Sequence, residues 1–312
     1  MENWISGINF YQIFIFPWTK GINIYGWIML MSIFVALPCG LIGNFLIWRQ
    51  IALIGDAISH SLVPGIVLAF LITLSRSTSV MFIGAIISGL FTTFLIEFLH
   101  RKIKIQTDAA LGIVFSTFFA IGIILISLFA DHVDLDTECV LFGDISYTPL
   151  ATPIKLGQWV IGPLPVVRMG FVCVIVIILL LLFYKELLIT SFDQVLANLL
   201  GIPSAMIHYG LMLVLSIVIV SAFEAVGAVL VIAMLIFPGA TSLLLSNQLF
   251  IILIFSSFFS IIYTIGGIHL ALLFNCSIAG SIVVTASILF IFIWILAPKN
   301  GLIARYFLSK RF

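Results

Sequence analysis

Nine apolar runs dominate this chain, each near the roughly 20 residues that a helix needs to cross a hydrocarbon core of about 30 Å. They fall at 24–47, 51–74, 79–99, 109–130, 168–185, 206–222, 226–246, 249–267 and 273–297, and the count turns on the run at 226–246. Lipid offers no water to backbone amides, so runs of this length are read as helices. The expectation is an all-α, polytopic integral membrane protein with about eight or nine transmembrane helices. Only 8% of the residues are charged, roughly a third of the share in a soluble protein. The longest less apolar stretches run to only about 20 to 40 residues, too short for a hidden soluble domain, so residues 1–312 are read as one transmembrane domain.

The flanks of the runs set the expected orientation. Residues 1–21 carry Trp4, Tyr11, Phe14, Phe16 and Trp18, a composition suited to the headgroup belt, and are read as an interfacial lead-in. Lys20 is the only cation before the first run and no small-x-small cleavage site follows, so that run is expected to be a retained span. With the N-terminus outside, Arg49, Arg101, Lys102, Lys104, Lys185, Arg305, Lys310 and Arg311 lie on the cytoplasmic side. Lys20, Arg76, Lys155 and Arg168 then lie outside, a bias of about two to one in the expected sense.

Several classes are set aside. A net charge of +1 and the lack of a basic stripe with interleaved aromatics argue against nucleic acid. Cys39, Cys139, Cys173 and Cys276 have no CxxC spacing and are read as small apolar packers. Small residues four apart, in Gly112, Ser116 and Ala120, in Ala85 and Gly89, and in Gly84 and Ser88, suit close helix packing in lipid. No internal repeat stands out.

Against that background, Leu53-Ile54-Gly55-Asp56-Ala57-Ile58-Ser59-His60-Ser61-Leu62-Val63-Pro64-Gly65 is the costly stretch. Ionisable side chains inside a membrane are expensive and point to function by default. On a helix Asp56 and His60 share a face, where a carboxylate oxygen and an imidazole nitrogen can ligate one divalent cation such as manganese, iron or zinc. Ser59 and Ser61 add hydroxyls beside them. Pro64 has no N–H, which leaves the carbonyl of His60 without its helical partner. An equally plain alternative is that Asp56 and His60 only neutralise each other. Two ligands fall short of a closed site, and Glu224, His269 and His208 are the candidates to extend it. Glu224, between two apolar runs, faces either the pathway or the outer interface.

The region 131–167 is read as an acidic external loop. Within it Asp131, Asp134, Asp136 and Glu138 suit a cation-concentrating mouth, a docking face or a plain solvated loop. The chain holds no G-x-x-x-x-G-K-[ST] phosphate-binding loop, so it is not expected to be an enzyme, and active transport would need a partner ATPase or an ion gradient. In the segment 190–203, Ser191 or Asp193 can cap a short helix, Gly201 can end it and Pro203 follows. Its apolar residues suit insertion into another protein's groove.

Four stretches resemble the membrane permeases of ABC-type importers for manganese, zinc and iron. They are Arg49 through Gly65, Thr107 through Ser116, Phe192 through Gly201, and Val226 through Thr241 with its Pro238-Gly239. The resemblance implies a permease of the metal, siderophore and cobalamin type in the bacterial cytoplasmic (inner) membrane. It implies an ABC ATPase, an extracytoplasmic metal-binding protein and a second permease chain, identical or paralogous, as partners. It also implies Asp56 and His60 as pathway ligands, a divalent metal as substrate with no resident cofactor, and Phe192, Asp193, Leu196, Ala197 and Gly201 as the coupling segment. The pattern around Asp134, Asp136 and Asp144 is nearest the manganese and iron branch, whereas Glu224 has no counterpart in the family pattern. Two competing expectations stay open: a gradient-driven secondary transporter, and a permease for bulky siderophores or cobalamin that needs no ligating side chains.

Overall fold

The computed structural model describes residues 16–19, 21–74, 77–129, 145–156, 159–297 and 301. Eleven α-helices follow one another among them: α1 (Ile22–Trp48), α2 (Ile54–Thr73), α3 (Thr78–Lys102), α4 (Thr107–Phe129), α5 (Leu164–Leu182), α6 (Tyr184–Phe192), α7 (Gln194–Leu199), α8 (Ser204–Val226), α9 (Ala228–Leu245), α10 (Leu249–Phe274) and α11 (Ile278–Leu296). Nine of these, all but α6 and α7, are long and apolar enough to cross a membrane. They match the nine runs one for one. The run on which the count turned is α9, parted from α8 by the single residue Gly227, whose φ of +80° is left-handed backbone that glycine adopts without strain.

The region 131–167 departs from a plain loop. It holds a 3-10 turn at Ile145–Leu150 and an antiparallel hairpin of β1 (Pro153–Leu156) and β2 (Trp159–Pro163), and α5 already begins at Leu164. The fold is therefore helical with one small hairpin. Gly162, at φ +146°, lies against Trp27, where any side chain would meet the indole. Such short strands give too brief an alternation to register beside spans of 20 residues. The acids at 131–138 and most of the interfacial lead-in lie outside the described residues.

The chain packs as two compact units, one of residues 1–44, 144–175 and 225–312 and the other of 45–143 and 176–224. In the second unit α2 is clasped between α3 and α4. A Cβ on Gly65 would overlap Ser88 and the Gly84 carbonyl, and one on Gly84 would overlap Ala69 and the Gly65 carbonyl. Lipid supplies no hydrophobic drive between helices, so this backbone approach is where α2 and α3 gain their dispersion contact. On another side Gly122 lets α4 rest on Val63 and Pro64. The predicted close face of Gly84 and Ser88 is thus used, whereas among the described residues nothing lies against Gly112 and Ser116 and Ala120 are exposed, so that stripe packs on none of them.

In the first unit α9, α10 and α11 pack on one another, with Gly267 against the backbone of Ile282 and Gly43 of α1 against the Leu235 carbonyl. Thr241 and Tyr263 share a buried hydrogen bond of 2.6 Å, and Ser256 donates to the Gly40 carbonyl at 3.1 Å. Cys39 and Cys173 are buried packers, but Cys276 is exposed in the α10–α11 link and shares a hydrogen bond with Ser281. One correspondence escaped the sequence: α2 and α9 each carry a Pro-Gly pair, Pro64-Gly65 and Pro238-Gly239, ten residues after their first residue.

Gly65→Ala should cost about 1–3 kcal/mol by overpacking the α2–α3 crossing, while Gly112→Ala should cost nothing. Thermal unfolding of the purified protein in one detergent checks the contrast; equal midpoints for the two variants would contradict it.

Candidate functional site

Local backbone chemistry places Asp56. Helix α1 ends on Gln50 in the left-handed region at φ +58°, with Gln50 N–H donating to Ile47 at 3.0 Å and Ile51 N–H reaching back to Leu46 at 3.0 Å. That double closure satisfies the last carbonyls of α1 and makes the link to α2 short and fixed. Helix α2 then starts at Ile54, which puts Asp56 in its first turn, where exposed amides favour a carboxylate.

One turn further on, His60 Nε2 stands 3.4 Å from Asp56 Oδ1. A charge-assisted hydrogen bond would be nearer ~2.8 Å. Two ligands each about 2.1 Å from a shared metal and about 110° apart would instead stand about 3.4 Å from one another. The pair therefore has the spacing of donors that can share a cation. The side chains are 44% exposed for Asp56 and 25% for His60, so a solvated ion can reach both.

Helix α4 orients the imidazole. Phe115 and Phe119, one turn apart, stand edge-on to the His60 ring with centroids at 4.8 and 5.5 Å. Among the described residues His60 Nδ1 is buried without a hydrogen-bond partner, which leaves Nε2 as the nitrogen turned to Asp56. Ser59 is fully buried and donates its hydroxyl proton to the Gly55 carbonyl at 2.9 Å, keeping only oxygen lone pairs to offer. Ser88 of α3 donates to the Ser61 carbonyl, just past the bond that Pro64 removes.

Among the described residues no group of three or more His, Cys, Asp and Glu is gathered as a metal cluster. His269 lies on α10 in the other compact unit, where Trp18 Nε1–H donates to its Nε2 at 3.2 Å and its Nδ1 meets the Ile265 carbonyl at 2.8 Å. Glu224 lies in the last turn of α8, and its side chain, like Asp131, Asp134, Asp136 and Glu138, is outside what the structure describes. His208, in the first turns of α8, is hydrogen-bonded to Glu97 of α3 and to Arg49. Reading the sequence missed Glu97 and the Phe115–Phe119 wall. The signals were there, an acid inside an apolar run and two aromatics four apart.

The segment 190–203 takes the expected form. Asp193 caps α7, its Oδ1 accepting from Val195 N–H at 2.8 Å and Leu196 N–H at 3.0 Å, and Gly201 turns the chain at φ +76°. Phe192, Leu196 and Leu199 are exposed, while Ala197 is buried and anchors the helix from below. A six-residue helix with an apolar outer face has no reason to persist in water alone.

With this geometry in place, the chain can be set beside known proteins. Residues 22–297 match the model of the ABC 3 transport family, and the chain belongs to that family. It is a multi-pass protein of the bacterial cytoplasmic membrane. Similar proteins include the manganese transport system membrane protein MntD of Bacillus subtilis, 42% identical over 89% of this chain and 94% of that protein. The zinc transport system membrane protein TroD of Treponema pallidum is also 42% identical, over 89% of this chain and 75% of that one. Among solved structures, PsaBC from Streptococcus pneumoniae in complex with Fab matches 99% of each chain with a TM-score of 0.74 and 34% identity.

Asp193→Ala should fray α7 by about 1 kcal/mol, the usual worth of an N-cap. Amide exchange at residues 195–199 should rise about fivefold; unchanged protection would mean that packing of Ala197 alone holds the helix.

Proposed function

We propose that this chain is the membrane-spanning subunit of an ATP-driven importer of a divalent transition metal, manganese, zinc or iron, working by alternating access. The observation that carries the proposal is the Asp56–His60 pair, on a helix that crosses the membrane, with its oxygen and nitrogen 3.4 Å apart. An oxygen–nitrogen set of this kind suits manganese, iron and zinc better than calcium. The relatives named for manganese and for zinc transport support the same substrate class.

Asp56 would supply the charge that draws the ion in, and His60 Nε2 the second donor. Phe115 and Phe119 hold the ring against rotation, so the pair meets the ion without reorganising. Two protein ligands leave the ion partly hydrated and weakly held, which is what passage demands: a site must bind well enough to fill and poorly enough to empty. Ser59 can lend an oxygen lone pair as the ion sheds water. His269 and Glu224 are further candidates from other stages of the cycle, and the acids Asp131, Asp134, Asp136 and Glu138 would concentrate cations at the mouth.

ATP hydrolysis would come from a separate ATPase seated on Phe192, Leu196 and the outer face of α7, with Ala197 and Gly201 shaping the seat. An extracytoplasmic metal-binding protein would deliver the ion, and a second permease chain would complete the pathway. The chain itself catalyses no reaction on this view.

Asp56→Ala and His60→Ala should each lower manganese uptake by vesicles containing the permease and its ATPase by more than about tenfold, the lower end of what even an outer-shell partner costs a metal site. Survival of both manganese and zinc uptake in both variants would remove metal-ion transport by this helix. Deletion of 192–198 should abolish ATP-driven uptake but leave metal binding; uptake by the chain alone on a proton gradient would overturn the ATPase assignment.

A further inference from the structure

Outside the candidate metal site lies a second polar cluster, partly buried. Arg49 Nη1 lies 2.9 Å from His208 Nδ1, Nη2 donates to Thr190 Oγ1 at 3.0 Å and Nε lies 3.4 Å from Ser191 Oγ. His208 Nε2 meets Glu97 Oε2, and each of these two side chains is only 11% exposed. Arginine has donors and no acceptor, so His208 Nδ1 must accept. The one proton of a neutral imidazole then sits on Nε2 and is donated to the Glu97 carboxylate. A guanidinium and a carboxylate are thus joined through a neutral histidine, each bond with a fixed direction.

The cluster binds two pieces of backbone together. Trp48, next to Arg49, packs edge-on against Phe192 with centroids 4.2 Å apart, so consecutive residues grip Thr190, Ser191 and Phe192 through both ring and fork. On one side of the grip stands Asp193, the cap of α7. On the other the fixed turn at Gln50 and Ile51 leads within a few residues to Asp56. Burial holds the Arg49 pKa below its ordinary value, and the nearby Glu97 charge offsets only part of that. The residue stays charged, as arginine does in proteins.

We propose that Arg49, aimed by His208 and Glu97, is the positioning residue that carries movement of the exposed helix α7 to the start of the helix bearing Asp56 and His60. This rests on the transport function proposed above, but the mechanical link is a property of this chain alone. A bare positive-inside anchor would need only a cation at position 49. The fork needs donors spread over three nitrogens of one plane, whereas lysine's donors all sit on a single nitrogen.

The test is Arg49→Lys, with His208→Gln and His208→Leu as a second pair. In the purified permease, Arg49→Lys should raise amide exchange about tenfold both in residues 50–57 and in residues 190–196, the effect of losing hydrogen bonds to a charged group. Faster exchange in only one of the two segments, or in neither, would overturn the link. In vesicles containing the permease with its ATPase, manganese delivered per ATP should fall about tenfold in Arg49→Lys while ATP hydrolysis and manganese affinity hold. Delivery per ATP equal to the parent would overturn the proposal. His208→Gln, whose amide can still accept from Arg49 and donate to Glu97, should keep most of the delivery, and His208→Leu should lose it; equal behaviour of the two would also overturn it. If the parent vesicles take up no manganese, the transport function falls and the exchange result still decides the link.

Discussion

A proline in the middle of a membrane helix sets the terms for this structure. Pro64 removes one backbone hydrogen bond from α2 in a medium where each unsatisfied group costs several kcal/mol. The surrounding residues brace the helix at that point from two sides without replacing the lost bond. Ser88 of α3 donates to the adjacent Ser61 carbonyl, and Gly65 and Gly84 bring the two backbones close enough for it to do so. Helix α4 closes the other face through Gly122, whose missing side chain makes room for the proline ring. What remains is a helix held firmly at its middle, with Asp56 and His60 on the turns before the proline and the His60 carbonyl robbed of its usual donor.

That arrangement separates rigidity from affinity. The Pro-Gly segment and the Phe115–Phe119 wall fix where the two donors stand, and their spacing suits a shared ion. The donors are few, and both are partly open to solvent. If the pair takes a metal ion as proposed, two protein donors on a rigid frame suit an ion in passage, since the geometry is already in place and little binding energy must be undone on release.

What could be read in the sequence follows from the range of the interactions. The spans were legible because each is specified by its own 20 or so apolar residues, even across Gly227, where a single residue divides α8 from α9. Asp56 with His60, and Asp193 with the amides of α7, were legible because both pairings lie within one helical turn. Glu97 and His208 are 111 residues apart, and nothing in either run marks the other as its partner. The hairpin at Pro153–Pro163 was hidden for another reason: strands of four and five residues carry too little periodicity to stand out. The Gly112 stripe looked like packing in sequence and meets no other helix among the described residues, because small residues show where helices can approach and not what approaches them.

Arg49 illustrates how far a count of loop cations can fall short of a mechanism. As a loop cation it weighs in the orientation of the chain, and any basic residue would serve that purpose. Half-buried among Ser191, Thr190 and His208 it does something more specific. Taking a guanidinium and a carboxylate out of water costs more than their attraction returns unless every donor is met. Placing a neutral histidine between them lengthens the connection while keeping each bond directional, so the charge of Glu97 bears on residues of α6 through His208 and Arg49. Hydrophobic packing of Trp48 on Phe192 could hold the same segments together, but it would let them slide. The fork fixes their register, and a fixed register is what allows motion at one end of such a contact to appear at the other.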